Sequence, residues 1–182
     1  MNKIVLGNTD LELIINEIID TELDAIVVPS NSRLLPSGTT RCKILRRAGS
    51  KVQIECNKII LDIVKIPVGD AVMTSAGNLK AKHIIHVVGP RFGESNVVAK
   101  QLMFATWNSL KIGDEAGLRS LAFNPISIEN LGFNTKICAE VMLPTMKKYL
   151  LEKNKNLKKI GIYLKDLPEY KDFENVLDGL VA

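Results

Sequence analysis

The fold class that the sequence predicts is a three-layer α/β/α sandwich around a mixed, mostly parallel sheet of six or seven strands. Two observations carry it. Short runs rich in Val, Ile and Leu recur along the 182 residues with almost no polar interruption, as in "AIVV" (Ala25–Val28) and "HIIHVV" (His83–Val88). A strand apolar on both faces belongs to a sheet covered on both sides. Longer stretches with helical spacing separate these runs, and that alternation makes successive strands parallel.

Taken in order, "KIVL" (Lys3–Leu6), "LELII" (Leu11–Ile15) and "AIVVP" (Ala25–Pro29) are the first strands. Thr39 or Thr40 is placed to cap a helix with Ile44, Leu45 and Ala48 on its apolar side and Gly49 at its close. "DAVMT" (Asp70–Thr74) and "HIIHVV" follow as strands. Ser95 or Asn96 starts a helix that carries Val98, Leu102, Ala105, Ser109 and Ile112 on one face, with Gly117 beyond its end. After the strand "SLAFN" (Ser120–Asn124), Asn134 caps a third helix with Ile137, Val141 and Met142 inward. Pro144 is expected to kink or break that helix, because it has no N–H for the carbonyl of residue 140. "KIGIYL" (Lys159–Leu164) is the last strand, and a final helix runs from Tyr170 to Leu180. No repeat or Pro/Gly/Ser-rich linker divides the chain, so residues 1–182 read as one domain.

Composition narrows the function classes. A 46% hydrophobic and 24% charged chain is globular, not disordered. The net charge of +4 permits an anionic partner, RNA included, without arguing for one. Cys42, Cys56 and Cys138 are odd in number and lack a CxxC pair, which speaks against a disulfide framework or a zinc site and for a reducing compartment. The first residues have no apolar signal core and no apolar run reaches membrane-spanning length, so a cytoplasmic protein with no membrane partner is expected. No phosphate-loop, zincin or nucleophile-elbow motif occurs, and neither a metal nor a cofactor is expected.

Ligands of open α/β sheets sit beyond the carboxyl ends of the strands. Four segments occupy that rim: Asn16-Glu17-Ile18, Ser30–Thr40, Ser127–Asn134 and Lys165–Glu169. The second has a single glycine, Gly38, and a basic cluster around it made of Arg33, Arg41, Lys43, Arg46 and Arg47.

Three longer stretches carry a resemblance. "LELIINEIIDTELDAIVVPSNSRLL", "VGDAVMTSAGNLKAKHIIHVVGPRF" and "NSLKIGDEAGLRSLAFNPISIENLGFN" follow one another at the spacing of the macro domain family, the ADP-ribose-binding, Appr-1-p-processing family. The resemblance covers most of the chain and implies the same sandwich with an ADP-ribose cleft on its rim. It implies ligand contacts at Glu17, Asn31, Ser37, Gly38, Thr39, Ser127, Glu129, Gly132 and Phe133. Glu17 stands where the family has an aspartate that accepts from the adenine amino group, and Asn31 matches the second asparagine of its ribose loop. The chain departs from the family elsewhere. Val28 replaces the first asparagine, the family's four glycines become Pro36, Ser37, Gly38 and Thr39, so that only Gly38 is kept, and Glu129 and Leu131 replace a glycine and an aromatic. Lys165 falls where an aromatic often covers the adenine, and Arg41 falls where hydrolytic members carry an aspartate.

The function implied is binding of ADP-ribose or a related adenine nucleotide, weakened by those replacements and without efficient hydrolysis. The alternatives are an ADP-ribosyl hydrolase or O-acetyl-ADP-ribose deacetylase that works without the aspartate, and a non-catalytic module for RNA or protein. No catalytic residue is assigned. Asn31 fits a ribose contact or a satisfied turn, and Glu17 an adenine contact or a cap for the following turn. The basic cluster reads as a phosphate or RNA site or as a solvated helix face. His86, on an apolar strand, is expected as a satisfied core histidine, and Met103 and Trp107 as packing. Cys42, beside the arginines, has only its position to suggest reactivity.

Overall fold

In the computed structural model, residues 2–91, 95–126 and 134–181 are described. Seven strands form one sheet: β1 (Lys3–Leu6), β2 (Thr9–Ile15), β3 (Ala25–Ser30), β4 (Ala71–Ser75), β5 (His83–Val88), β6 (Ser120–Phe123) and β7 (Lys159–Leu164). Their spatial order is β1-β2-β7-β6-β3-β5-β4. The five central strands are parallel, and β1 and β4 are antiparallel edges. The register pairs Ile15 with Leu164, Phe123 with Ile162, Val27 with Phe123, and Ser30 with Val88. That alignment brings the carboxyl ends of all five central strands to one edge, the rim that the sequence predicts for a ligand.

The helices are α1 (Thr39–Ala48), α2 (Ser50–Ile63), α3 (Ser95–Glu115), α4 (Thr135–Glu152) and α5 (Leu167–Val181). The apolar strands need two covers, and the core accordingly divides into two clusters. One gathers Val27, Ile85, Leu121 and Phe123 with α3, α4 and α5, and the other gathers Ile26, Val28 and Ile84 with α1 and α2. Ile26 and Ile85 are both wholly buried, as the two-sided sheet requires. Burying a side chain of that size stabilises by roughly 1.5–3 kcal/mol.

Several local expectations are corrected. Gly38, not Thr39 or Thr40, is the N-cap of α1, and its φ of 70° is backbone that a threonine adopts only at a cost. Residues 50–63 form α2, a helix that the apolar spacing alone does not announce. Its inward Val52 and Cys56 lie four residues apart on one face, and Gly49 (φ 90°) ends α1 and starts α2 at once. Helix α4 runs uninterrupted through Pro144. The ring faces solvent while Met142, Leu143, Thr145 and Met146 lock the same turn into the core, so packing outweighs one missing hydrogen bond. Asn134 does cap α4, accepting from the N–H of Ile137 at 2.9 Å. That phase carries Ile137 outward, where it is exposed, and turns Cys138, Ala139 and Met142 inward. Helix α5 starts at Leu167, not Tyr170.

Candidate functional site

Four chain segments close a cavity of about 280 Å³ on the rim. Glu17 and Ile18 come from the turn after β2, Thr40 from the first turn of α1, Asn124 from the end of β6, and Lys165 from the end of β7. The turn that carries Glu17 is a short 3-10 helix (Ile18–Asp20) with both isoleucines buried beneath it. It is tied to the sheet by a 2.8 Å hydrogen bond between the Thr21 hydroxyl and Tyr163 of β7. The Glu17 carboxylate stays in solvent and pairs with Lys43 Nζ at 2.8 Å, with both side chains more than half exposed. An ion pair so placed is worth at most about 1 kcal/mol and exchanges readily for another partner.

Asn124 is the deeper acceptor. Its Nδ2 donates to the carbonyl of Tyr163 at 3.0 Å, which fixes the amide's orientation, since a carbonyl accepts only from the nitrogen side. Its Oδ1 is buried and has no hydrogen-bond partner among the described residues. At the fourth corner the Lys165 N–H donates to Glu169 Oε2 at 3.0 Å, and Lys165 Nζ lies 3.3 Å from Glu169 Oε1. The Glu169 N–H donates in turn to Asp166 Oδ1 at 3.0 Å. Asp166 thus caps α5 while Glu169 reaches back one residue past the cap to the Lys165 N–H, a variant of the capping box that shapes this loop and that the sequence shows as "DLPE".

The loop after β3 is wired to itself. Asn31 Nδ2 donates to Leu35 O (2.8 Å) and Ser37 Oγ (2.9 Å), while its Oδ1 accepts from the N–H groups of Arg33 (3.1 Å) and Leu35 (3.0 Å). A carboxamide has two donors and two acceptor lone pairs, and all four are used here to hold the turn. Ser37, Gly38 and Thr39 are exposed beyond it. Leu34, wholly buried, bends the chain with a φ of 56°, a conformation that costs a branched side chain of order 1–3 kcal/mol.

What holds that bend is Arg41. The basic-cluster reading puts it with Arg33, Lys43, Arg46 and Arg47 on a solvated face, and those four are exposed, but Arg41 is turned inward and is only 2% exposed. Its Nη2 donates to Leu34 O (3.0 Å), its Nε to Leu35 O (3.1 Å), and its Nη1 meets His86 Nδ1 at 2.9 Å. A guanidinium only donates, so Nδ1 must accept and the imidazole proton sits on Nε2. Nε2 then donates to Thr74 Oγ1 at 2.8 Å, and that hydroxyl donates to Ser75 O at 2.8 Å. His86 is therefore the satisfied core histidine that its strand predicts. Burial first, and the Arg41 charge second, hold its pKa well below the usual imidazole range.

Of the other expected contacts, Ser127, Glu129, Gly132 and Phe133 lie outside the described residues. Lys43 and Arg47 have acidic neighbours, Glu17 and, at 3.5 Å, Asp20, so the exposed basic cluster is in part neutralised. Cys42 is half-buried on α1. Among the described residues no cluster of His, Cys, Asp and Glu is arranged to hold a metal, and no helix is long and apolar enough to cross a membrane. Thr40 and Asn124 join the cavity without having been singled out. The signal for both is their register, one residue past a helix start and at a strand end.

The model of the Macro domain family matches residues 27–142, which span the strand, loop and helices just described. The chain belongs to the macro domain family. The likeness extends along whole chains. A protein of Saccharolobus solfataricus is 36% identical over 172 residues, covering 94% of this macro domain and 94% of its own length. A macro domain-containing protein of Listeria monocytogenes is 34% identical over 175 residues, covering 95% and 99%. Among solved structures, a variant of the Oceanobacillus iheyensis macrodomain with ADPR superposes with a TM-score of 0.92 at 23% identity, covering 98% of this chain and 97% of that one. The seven-stranded sandwich is thus the macrodomain fold, and the rim cavity lies at the carboxyl ends of its strands.

Proposed function

We propose that residues 1–182 act as a single macro-type domain that binds ADP-ribose or a related adenine nucleotide in the rim cavity, weakly and without efficient hydrolysis. The observation that carries this reading is the convergence of Glu17, Thr40, Asn124 and Lys165 from four rim segments on one cavity. An exocyclic amine carried into it would find an oxygen acceptor in the exchangeable Glu17 carboxylate. The ADPR held by the Oceanobacillus macrodomain supports that class of ligand.

Weak binding follows from the way the rim loops use their own polar groups. Asn31 has no free valence for a ribose, Pro36 has no N–H, and Glu17 must leave Lys43 first. Each hydrogen bond that the ligand's charged groups must do without, at roughly 1.5 kcal/mol, is about tenfold in affinity. Poor hydrolysis follows from Arg41, which stays protonated, cannot act as a base and is buried beneath the rim loop, donating to the Leu34 and Leu35 carbonyls. The three free thiols suit a reducing cytoplasm.

Calorimetric titration with ADP-ribose, ADP and AMP tests the binding. With Asn31 and Pro36 unable to hold the ligand, a dissociation constant of order 100 μM or weaker is expected for ADP-ribose, and sub-micromolar binding would refute it. The companion assay follows ADP-ribose release from a mono-ADP-ribosylated protein. Robust turnover that Arg41→Ala leaves untouched would overturn the non-hydrolytic reading.

A further inference from the structure

Helix α3 has a second apolar side that the sandwich covers only in part. Leu102, Ala105 and Leu110 point into the core, yet Met103 and Phe104 stand outward at 39% and 44% exposure, with Trp107 half-buried one turn on. Of the two residues that helical spacing assigns to packing, Trp107 does pack against the core, whereas Met103 stands exposed. Both form, with Phe104, Pro144, Thr145 and Lys148, the walls of an open groove of about 370 Å³ between α3 and α4. Past Trp107 the groove continues into a second hollow of about 540 Å³, where Lys111, Lys153 and Lys155 gather around Tyr149. Trp107 stands edge-on to Tyr149 with ring centres 4.9 Å apart, so it is a rigid divider between an apolar half and a basic half.

The charges in this groove are one-sided. Asp114 lies beneath it, but its carboxylate is buried and taken up by the Tyr149 hydroxyl (2.9 Å) and the N–H groups of Lys155 and Asn156 (3.1 and 2.8 Å). Glu115, 3.8 Å from Lys111, is the only exposed acid among the described lining residues, against four lysines. A second copy of this chain would set lysine against lysine. A nucleobase would find lysines for its acceptor edge, but its exocyclic donors would meet hydroxyls that already spend their protons, Thr145 on Val141 O and Tyr149 on Asp114. An aliphatic or aromatic anchor from a protein has no such penalty, and Met, Phe and Trp are the residue types enriched in protein-binding surfaces.

We propose that the α3–α4 groove docks an acidic amphipathic helix from a protein partner. Its apolar residues would lie between Phe104, Trp107 and Pro144, and its carboxylates would meet Lys148, Lys111, Lys153 and Lys155. The groove runs toward the loop that enters β7, the opposite end of the sheet from Lys165, so it is separate from the nucleotide cavity and does not depend on that reading.

Trp107 is the only tryptophan, so its emission reports on this groove alone. The intact protein is titrated with a helical peptide of about four turns that has Leu at heptad-spaced positions and Glu at the others. The same peptide with Lys for Glu, and a short oligouridylate, are run beside it. The Glu peptide is expected to bind with a blue shift of Trp107 emission, and the Lys peptide to leave the emission unchanged. Phe104→Asp, a change at an exposed position, should weaken the Glu peptide at least about tenfold, the scale of losing one hydrophobic anchor. Lys148→Glu should weaken it severalfold and let the Lys peptide bind measurably, a rescue that a merely structural effect would not produce. No emission change with the Glu peptide up to millimolar concentration, or equal affinity in both variants and wild type, would overturn the proposal. So would oligouridylate binding more tightly than the peptide.

Discussion

Lowering the pH from about 7.5 to about 5.5, across the ordinary imidazole range, should destabilise this macro domain through one residue, His86. In the native state His86 Nδ1 accepts from Arg41, and the ring is wholly buried. Its folded pKa is held well below the ordinary value, by burial first and the Arg41 charge second. The unfolded chain binds a proton at about pH 6.5, so below that pH it carries more protons than the native state. Stability is therefore complete above about pH 6.5 and falls as pH drops from there toward the native pKa. Each pH unit in that window withdraws up to about 1.4 kcal/mol, a sizeable share of the roughly 5–15 kcal/mol that holds a domain together. The carboxylates held low in the fold, Asp24 and Glu55, lose their contribution only at lower pH, as they titrate below the ordinary carboxylate range.

The assay is urea unfolding at half-unit steps across that pH range, for wild type and His86→Gln. Glutamine can present an oxygen to Arg41 and an N–H to Thr74 but takes up no proton. The wild-type midpoint should fall through the window while that of His86→Gln stays level. Nucleotide binding by the molecules that remain folded should hardly change over the same range, because the native ring stays neutral and Arg41 keeps its hold on Leu34 and Leu35. Parallel slopes for the two proteins would refute the reasoning, and would mean that the histidine carries its proton in the fold.

Two further substitutions probe the rim. Arg41→Asp, which puts a carboxylate where the family resemblance implies one, should abolish cooperative unfolding or lower stability by about 3–5 kcal/mol, because it buries an anion against the Leu34 and Leu35 carbonyls. Thermal melting reads this out, and a variant with unchanged melting temperature would show that Arg41 is not buried as described. Lys43→Ala should tighten adenine-nucleotide binding by up to about fivefold, the scale of releasing a surface ion pair, by freeing Glu17. A loss of affinity in calorimetry would instead make Lys43 a ligand contact.

By itself the sequence determines the strands, their burial and the family, because those depend on patterns local to a few residues. Ala25–Val28 and His83–Val88 are apolar on both faces, and a segment with no polar face cannot lie at a surface. The placing of His86 in the core follows from the same run. Other outcomes turned on interactions made across the fold. Arg41 sits among four basic residues that are solvated, and it is buried because His86, 45 positions away, and the carbonyls of a bent loop offer it three acceptors. Pro144 breaks helices by local rules, yet α4 continues because its neighbours are clamped in the core. Ile137 follows a helical period, but the Asn134 cap sets a phase that period alone does not contain. The cavity itself, with Glu17, Thr40, Asn124 and Lys165, exists only because the parallel register brings four distant strand and helix ends to one edge. Spacing along the chain encodes what each segment buries, whereas the identity of its neighbours is settled only when the sheet closes and the long-range hydrogen bonds have partners to meet.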